Sequence, residues 1–177
     1  MIRLNVNTKG VQSSPELFVR HCKNAVGQLM ELAEQEAKEM APSKVLKGLS
    51  GGSGGITHNV KISGKKIKGI LSATALNKET NFNYALAIHE GTGLYGPHKK
   101  VIRPKKSSVL VWLKDGSDNP KTKSGWKEAE KAGLVIRAKF TRGQKPNPFL
   151  KKGLQKVKQY GQRIFDREIE KFNTRFV

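Results

Sequence analysis

The sequence is short of cysteine and of long apolar runs, and each shortage excludes a class of protein. Cys22 is the only cysteine, so the chain can form neither an intrachain disulfide nor a zinc cluster of cysteines. The longest apolar run, residues 109–113, is far below the roughly 20 residues of a membrane-spanning helix. The first six residues lack the apolar stretch of a signal peptide. We therefore expect a soluble protein made in the cytoplasm.

Motifs for catalysis or cofactor binding are missing as well. Residues 91–96 spell G-x-G-x-x-G, but they follow a predicted helix and lack the strand–turn–helix context of a dinucleotide site. A tight loop with positive φ angles at its glycines explains this segment better. The four histidines are scattered without the spacing of metal ligands. The sequence therefore predicts no enzyme, no cofactor and no metal.

Positive charge is what the sequence has in excess. It carries 34 Lys and Arg against 14 Asp and Glu, which gives a net charge of +20. Such a chain favours a polyanionic partner, and nucleic acid, an acidic protein ring and an anionic membrane surface all fit the charge. Two stretches without any acid are candidates to face DNA or an acidic partner, and their cations are Lys61, Lys65, Lys66, Lys68, Lys99, Lys100, Arg103, Lys105 and Lys106.

Hydrophobic periodicity predicts an α+β fold, with a small antiparallel sheet packed against two long helices. The first helix begins near Pro15 and ends before Pro42, with Cys22 on its apolar face, and the last begins after Pro148. Alternating apolar residues predict a hairpin over 56–73, followed by a short helix at 84–89 and strands at 109–113 and 134–138. We expect a single domain, residues 1–177, with a flexible glycine-rich arm at 48–55 and a long polar loop at 114–133.

Three segments in the second half resemble the tail-completion, or head–tail joining, proteins of tailed bacteriophages. Residues 84–93 resemble the family's "Y-A…-E-x-G-T" signature, and residues 102–112 resemble its "I-x-P-K…L-x-F" strand. Residues 143–150 resemble its "G…P-x-P-F-L" approach to the last helix. The motif residues to which the resemblance gives structural roles are Tyr84, Glu90, Gly91, Thr92, Gly93, Pro104, Pro146, Pro148 and Phe149. We expect Glu90 to accept hydrogen bonds from the backbone of the loop that follows it.

The resemblance implies a structural virion protein without enzymatic activity. It implies a ring of several copies in the neck, contacting the connector or adaptor and the tail terminator or tail-tube proteins, with no membrane partner. The basic residues would face the DNA in the channel or an acidic neighbouring ring. The alternative is a basic module that binds nucleic acid non-specifically through the phosphate backbone, although no known reader motif is present.

Overall fold

The chain has an α+β fold, as the sequence predicted. The computed structural model describes residues 2–7, 15–48, 52–64, 66–78, 80–114, 119–120 and 122–174. Where the sequence led us to expect one domain, the chain divides into two compact units. Unit 1 comprises residues 1–89 and 148–177, and unit 2 comprises residues 90–147.

Unit 1 contains both long helices and a three-stranded antiparallel sheet. Its elements are β1 (Ile2–Asn7), α1 (Pro15–Met40), α2 (Ser43–Lys47), β2 (Gly54–Ser63), β3 (Lys66–Ala75), α3 (Tyr84–Glu90, which ends at the boundary with unit 2) and α5 (Phe149–Asn173). The strand order is β1-β3-β2. The two long helices and the β2–β3 hairpin confirm the predictions from periodicity, whereas β1 and α2 were not predicted.

One face of the hairpin packs on α1, because apolar residues alternate along both strands. Ile56, Ile67 and Leu71 are buried in the core, and an added Cβ at Gly69 would lie 2.5 Å from the Met30 side chain. Cys22 is buried in the same core, and burial raises the pKa of its thiol. This confirms that Cys22 is a buried core residue.

The helices α1 and α5 approach each other closely at Gly153. A Cβ on this glycine would lie 2.4 Å from the backbone oxygen of Ala33 and 3.1 Å from the Cβ of Ala37. Both alanines belong to α1 and are fully buried, so the atoms that the new Cβ would meet cannot move aside as the end of a flexible side chain could. Gly153 therefore sets the distance between the two long helices.

We expect Gly153→Ala to lower the free energy of unfolding of unit 1 by about 1–2 kcal/mol, because overpacking outweighs the gain in helix propensity. Gly161→Ala is the matched control on the same helix, since a Cβ there meets nothing within 4 Å. The control should be neutral or stabilising. Urea unfolding followed by circular dichroism at 222 nm measures both, and an equal effect of the two substitutions would contradict the close approach.

Unit 2 contains a two-stranded antiparallel sheet and one helix. Its elements are β4 (Leu110–Leu113), α4 (Lys123–Lys131) and β5 (Val135–Ala138), with a 3-10 turn at Gly93–Tyr95. The two strands confirm the predicted strands. The prediction of a polar loop through 114–133 was wrong over α4, which Thr122 caps by accepting a hydrogen bond from the Gly125 amide at 3.1 Å.

The predicted glycine-rich arm is only partly described. Residues 49–51 lie outside the described residues, and Gly54 and Gly55 form the start of β2, paired with Ala75 and Thr74. The expectation of a flexible arm was therefore wrong for these two glycines.

Candidate interface

Backbone hydrogen bonds in unit 2 connect parts of the segments that carry the family resemblance, some of them through the residues just before the third segment. The Thr92 amide donates to the Gln144 oxygen at 2.9 Å, and the Leu94 amide donates to the Arg142 oxygen at 2.8 Å. Ile102 and Thr141 exchange both of their backbone hydrogen bonds, each at 2.9 Å. We call this arrangement of residues 91–96, 102 and 141–146 the motif node.

Glycines with positive φ angles make this close approach possible. The φ angles are +82° at Gly91, +63° at Gly93 and +89° at Gly143, which confirms the predicted tight loop for the first two. A Cβ at Gly93 would lie 2.3 Å from the Arg142 oxygen, and one at Gly143 would lie 2.2 Å from the Thr92 oxygen. Any side chain at these two positions would push the segments apart.

Side chains of the motif residues support the node and the adjoining helices. The Thr92 hydroxyl accepts a hydrogen bond from the Gln144 amide at 2.9 Å. Glu90, which we expected to accept hydrogen bonds from the Gly91–Gly93 backbone, is exposed, and of these amides that of Thr92 donates to the Gln144 backbone oxygen instead. In unit 1, Phe149 is fully buried beside the His89 ring at 5.3 Å, and Tyr84 packs against the core.

The three proline motif residues differ in their positions. Pro148, with φ of −79°, stands immediately before α5, so its fixed φ sets the angle at which Phe149 enters the core. In unit 2, Pro104 is half-buried and Pro146 is exposed.

The predicted basic segment of unit 2 is exposed, and the node brings further cations to it. Lys99, Lys100, Arg103, Lys105 and Lys106 are all exposed. The pairing at Ile102 and Thr141 adds three cations that sequence reasoning missed, namely Lys139, Arg142 and Lys145. No acidic residue occurs in 91–106 or 139–147.

Two exposed aromatic rings lie beside these cations. The Arg103 guanidinium lies 5.8 Å from the Phe140 ring centroid, and the Lys145 ammonium lies 6.0 Å from that of Tyr95. Phe140 is 50% exposed and Tyr95 is 39% exposed. Phe140 is far from Arg103 along the chain, so the sequence alone does not bring this ring and this cation together.

Three of the predicted basic residues of the hairpin, Lys61, Lys66 and Lys68, lie on the sheet face turned away from α1. Lys61 pairs directly with Lys68 across the two strands, and Lys66 pairs with Ser63. Lys61 and Lys66 are exposed and Lys68 is half-buried, whereas Lys65 lies outside the described residues. These lysines belong to unit 1, and the segment 99–106 belongs to unit 2.

The facing lysines make the outer sheet face less stable than it could be, because like charges directly opposite in a sheet repel. We expect Lys61→Glu to raise the free energy of unfolding of unit 1 by about 0.5–1 kcal/mol, through a new cross-strand ion pair with Lys68. The control is Lys66→Glu, which faces Ser63 and should give a smaller gain. Thermal unfolding of both variants tests this, and destabilisation by Lys61→Glu would show that the lysines do not repel.

A buried polar cluster joins α1 to α5. Glu168 is 2% exposed and accepts hydrogen bonds from Lys171 Nζ at 2.6 Å and Gln28 Nε2 at 3.0 Å, and its second oxygen lies 3.2 Å from His21 Nδ1. The hydrogen bond from Lys171 lowers the pKa of Glu168 most. Burial raises this pKa, but the contacts of Gln28 and His21 lower it further, and the pKa of Glu168 is lowered to about 2 overall. These contacts link α1 to α5 through buried polar side chains.

A second histidine also links a strand to α1. His58 Nδ1 lies 2.6 Å from Glu34 Oε2, which links β2 to α1. Within the described ranges, no group of three His, Cys, Asp or Glu side chains is placed to hold a metal ion.

The candidate interaction surfaces are the motif node with its cations in unit 2 and the basic sheet face in unit 1. Of the helices that the structure describes, none is both long and apolar enough to cross a membrane. Comparisons with protein-family models, with curated proteins and with solved structures found no match to this chain.

Proposed function

We propose that this chain is a structural subunit of the neck of a tailed bacteriophage. In this role several copies form a ring that completes the tail or joins it to the head connector around the DNA channel. The observation that carries the proposal is the motif node, in which Thr92 of the first segment resembling tail-completion proteins pairs with Gln144 of the third, and Ile102 of the second pairs with Thr141, two residues before the third. These residues are distant in sequence and contact one another in the fold, as expected if the motifs belong to one structural unit.

The proposed mechanism is binding without chemistry. The exposed apolar side chains of unit 2, including Leu94, Ile102 and Phe140, suit contact with a neighbouring subunit or with the connector, adaptor, tail terminator or tail tube. The cations around them would select an acidic partner surface and speed the encounter. The rigid helix pair of unit 1 would serve as the frame that repeats around the ring.

Removal of the gene from the phage that encodes this chain tests the proposal. We expect DNA-filled heads and separate tails to accumulate, and the protein supplied in trans should restore joined particles. Electron microscopy of the lysate distinguishes the particles. Normal joined virions without the protein would overturn the proposal.

The second candidate is a non-specific nucleic-acid-binding protein that is not part of the virion. The facing lysines Lys61 and Lys68 favour it, because phosphate groups would relieve their repulsion. Mass spectrometry of purified particles separates the two candidates. A neck subunit is present in every particle in a fixed number of copies, whereas a binding protein of the infected cell is absent.

A further inference from the structure

We propose that the outer face of the three-stranded sheet is the surface on which unit 1 holds the phosphate backbone of double-stranded DNA. This inference deepens the proposed function and rests on it for the presence of DNA beside the protein. It assigns the contact to a set of residues on one face of β2 and β3, turned away from α1. Those residues are Thr57, Asn59, Lys61, Ser63, Lys66, Lys68, Ile70, Ser72 and Thr74.

The chemistry of this face is that of a phosphate-binding surface. Apart from Ile70, every residue on it is a cation, a hydroxyl or an amide, and all of these donate hydrogen bonds to phosphate oxygens. No acidic residue occurs anywhere in residues 54–75. An ordinary solvated sheet face gains stability from opposite charges on neighbouring strands, and here Lys61 faces Lys68 instead.

The composition of the face also favours DNA over an acidic protein as its partner. Stable protein–protein interfaces rely on a few large apolar or aromatic anchors in the centre of the contact. This face has no aromatic residue, and its one apolar residue, Ile70, is half-buried in the central strand. A phosphate backbone needs no such anchor, because cations and hydrogen-bond donors hold it.

The geometry suits an extended backbone. Lysines two residues apart on one strand stand about 7 Å apart along the strand direction, as Lys66 and Lys68 do on β3. Lys61 adds a third cation on the neighbouring strand, about 5 Å to the side. The strand β1 extends the same sheet, with Asn5 in register with Lys68 and Asn7 with Lys66. Contacts of this kind are independent of the base sequence.

The test is the salt dependence of binding of the full chain to a 25-base-pair DNA duplex. Each lysine that neutralises a phosphate adds about 0.9 to the slope of log Kd against log salt. For the triple variant K61Q/K66Q/K68Q we expect the slope to fall by about 2.7. Between 50 and 200 mM salt, the Kd of the natural protein should therefore rise about 40-fold more than that of the variant.

The triple variant K151Q/K152Q/K158Q removes the same charge from exposed positions on α5, in the helix layer of the same unit. It should retain a slope within about 1 of the natural protein's. Thermal unfolding followed by circular dichroism checks that both variants are folded. If K61Q/K66Q/K68Q does not fold, the three single substitutions are measured in its place, and each is expected to lower the slope by about 0.9.

Equal slopes for the natural protein and the sheet variant would overturn the inference, as would equal losses in the two triple variants. Absence of DNA binding by the natural protein would overturn it too. The proposed neck function is judged separately, by the presence of the protein in joined particles. If the protein is present in the neck but the sheet substitutions do not change the salt slope, only the inference that the sheet face binds DNA is refuted.

Discussion

Substituting Gly93 with alanine is expected to destabilise unit 2 by about 3 kcal/mol or more. Two costs add at this position. Its φ of +63° costs about 1–2 kcal/mol for a residue with a Cβ, and that Cβ would lie 2.3 Å from the Arg142 backbone oxygen. Because the clash is with backbone, relief requires the two node segments to separate and to lose the hydrogen bond from Leu94 to Arg142.

Tryptophan fluorescence during urea unfolding measures this effect in unit 2 alone, because Trp112 and Trp126 are the only tryptophans and both belong to unit 2. The control is Gly133→Ala, which has a similar φ of +66° and no neighbouring atom within 4 Å of the new Cβ. It should lose only the conformational cost of about 1–2 kcal/mol. If the two substitutions cost the same, the segments of the node do not touch as described.

Unit 1 is expected to lose about 3 kcal/mol of stability as the pH falls from about 4.5 to 2, through Glu168 alone. The pKa of Glu168 is lowered to about 2 from its usual 4.5 in the folded chain, so the unfolded chain binds this proton first. A lowered folded pKa gives stability that is complete above about pH 4.5 and is lost as the pH falls towards 2. The underlying cause is the hydrogen bonding of a buried carboxylate by Lys171, Gln28 and His21.

Urea unfolding followed at 222 nm between pH 2 and 7 tests this account of Glu168. Glu168→Gln should be about 3 kcal/mol less stable than the natural protein at pH 7 and should approach it near pH 2. Glu130→Gln serves as the control, since it removes an exposed ion pair with Arg137 and should change stability much less at any pH. A difference between Glu168→Gln and the natural protein that stays constant with pH would contradict the lowered pKa.

Local sequence patterns predicted much of the fold. The helical spacing of apolar residues gave α1 and α5, and alternation gave the β2–β3 hairpin. The strand β1 was missed although Ile2, Leu4 and Val6 alternate with polar residues, so its signal was present in the sequence. The helix α4 was missed because Lys123–Lys131 contains only two apolar residues, Trp126 and Ala129. Such a segment is interpreted as a polar loop unless the cap at Thr122 is given weight.

Contacts between distant segments could not be predicted from such patterns. His21 and Glu168 are 147 positions apart, and no local pattern links them. The same holds for Arg103 and Phe140, which come together only through the pairing of Ile102 with Thr141. Sequence reasoning therefore found the cations of the basic segment but not the aromatic rings beside them.

Cryo-electron microscopy of the virion neck, with this chain traced into the map, tests the central claim most directly. The account predicts a closed ring of copies between the head connector and the tail, with the node segments 91–96 and 141–146 paired as described. It also predicts that the outer face of the β1-β3-β2 sheet is turned towards the DNA in the channel. A neck map fully explained by other chains, with this protein absent from the particle, would contradict the account.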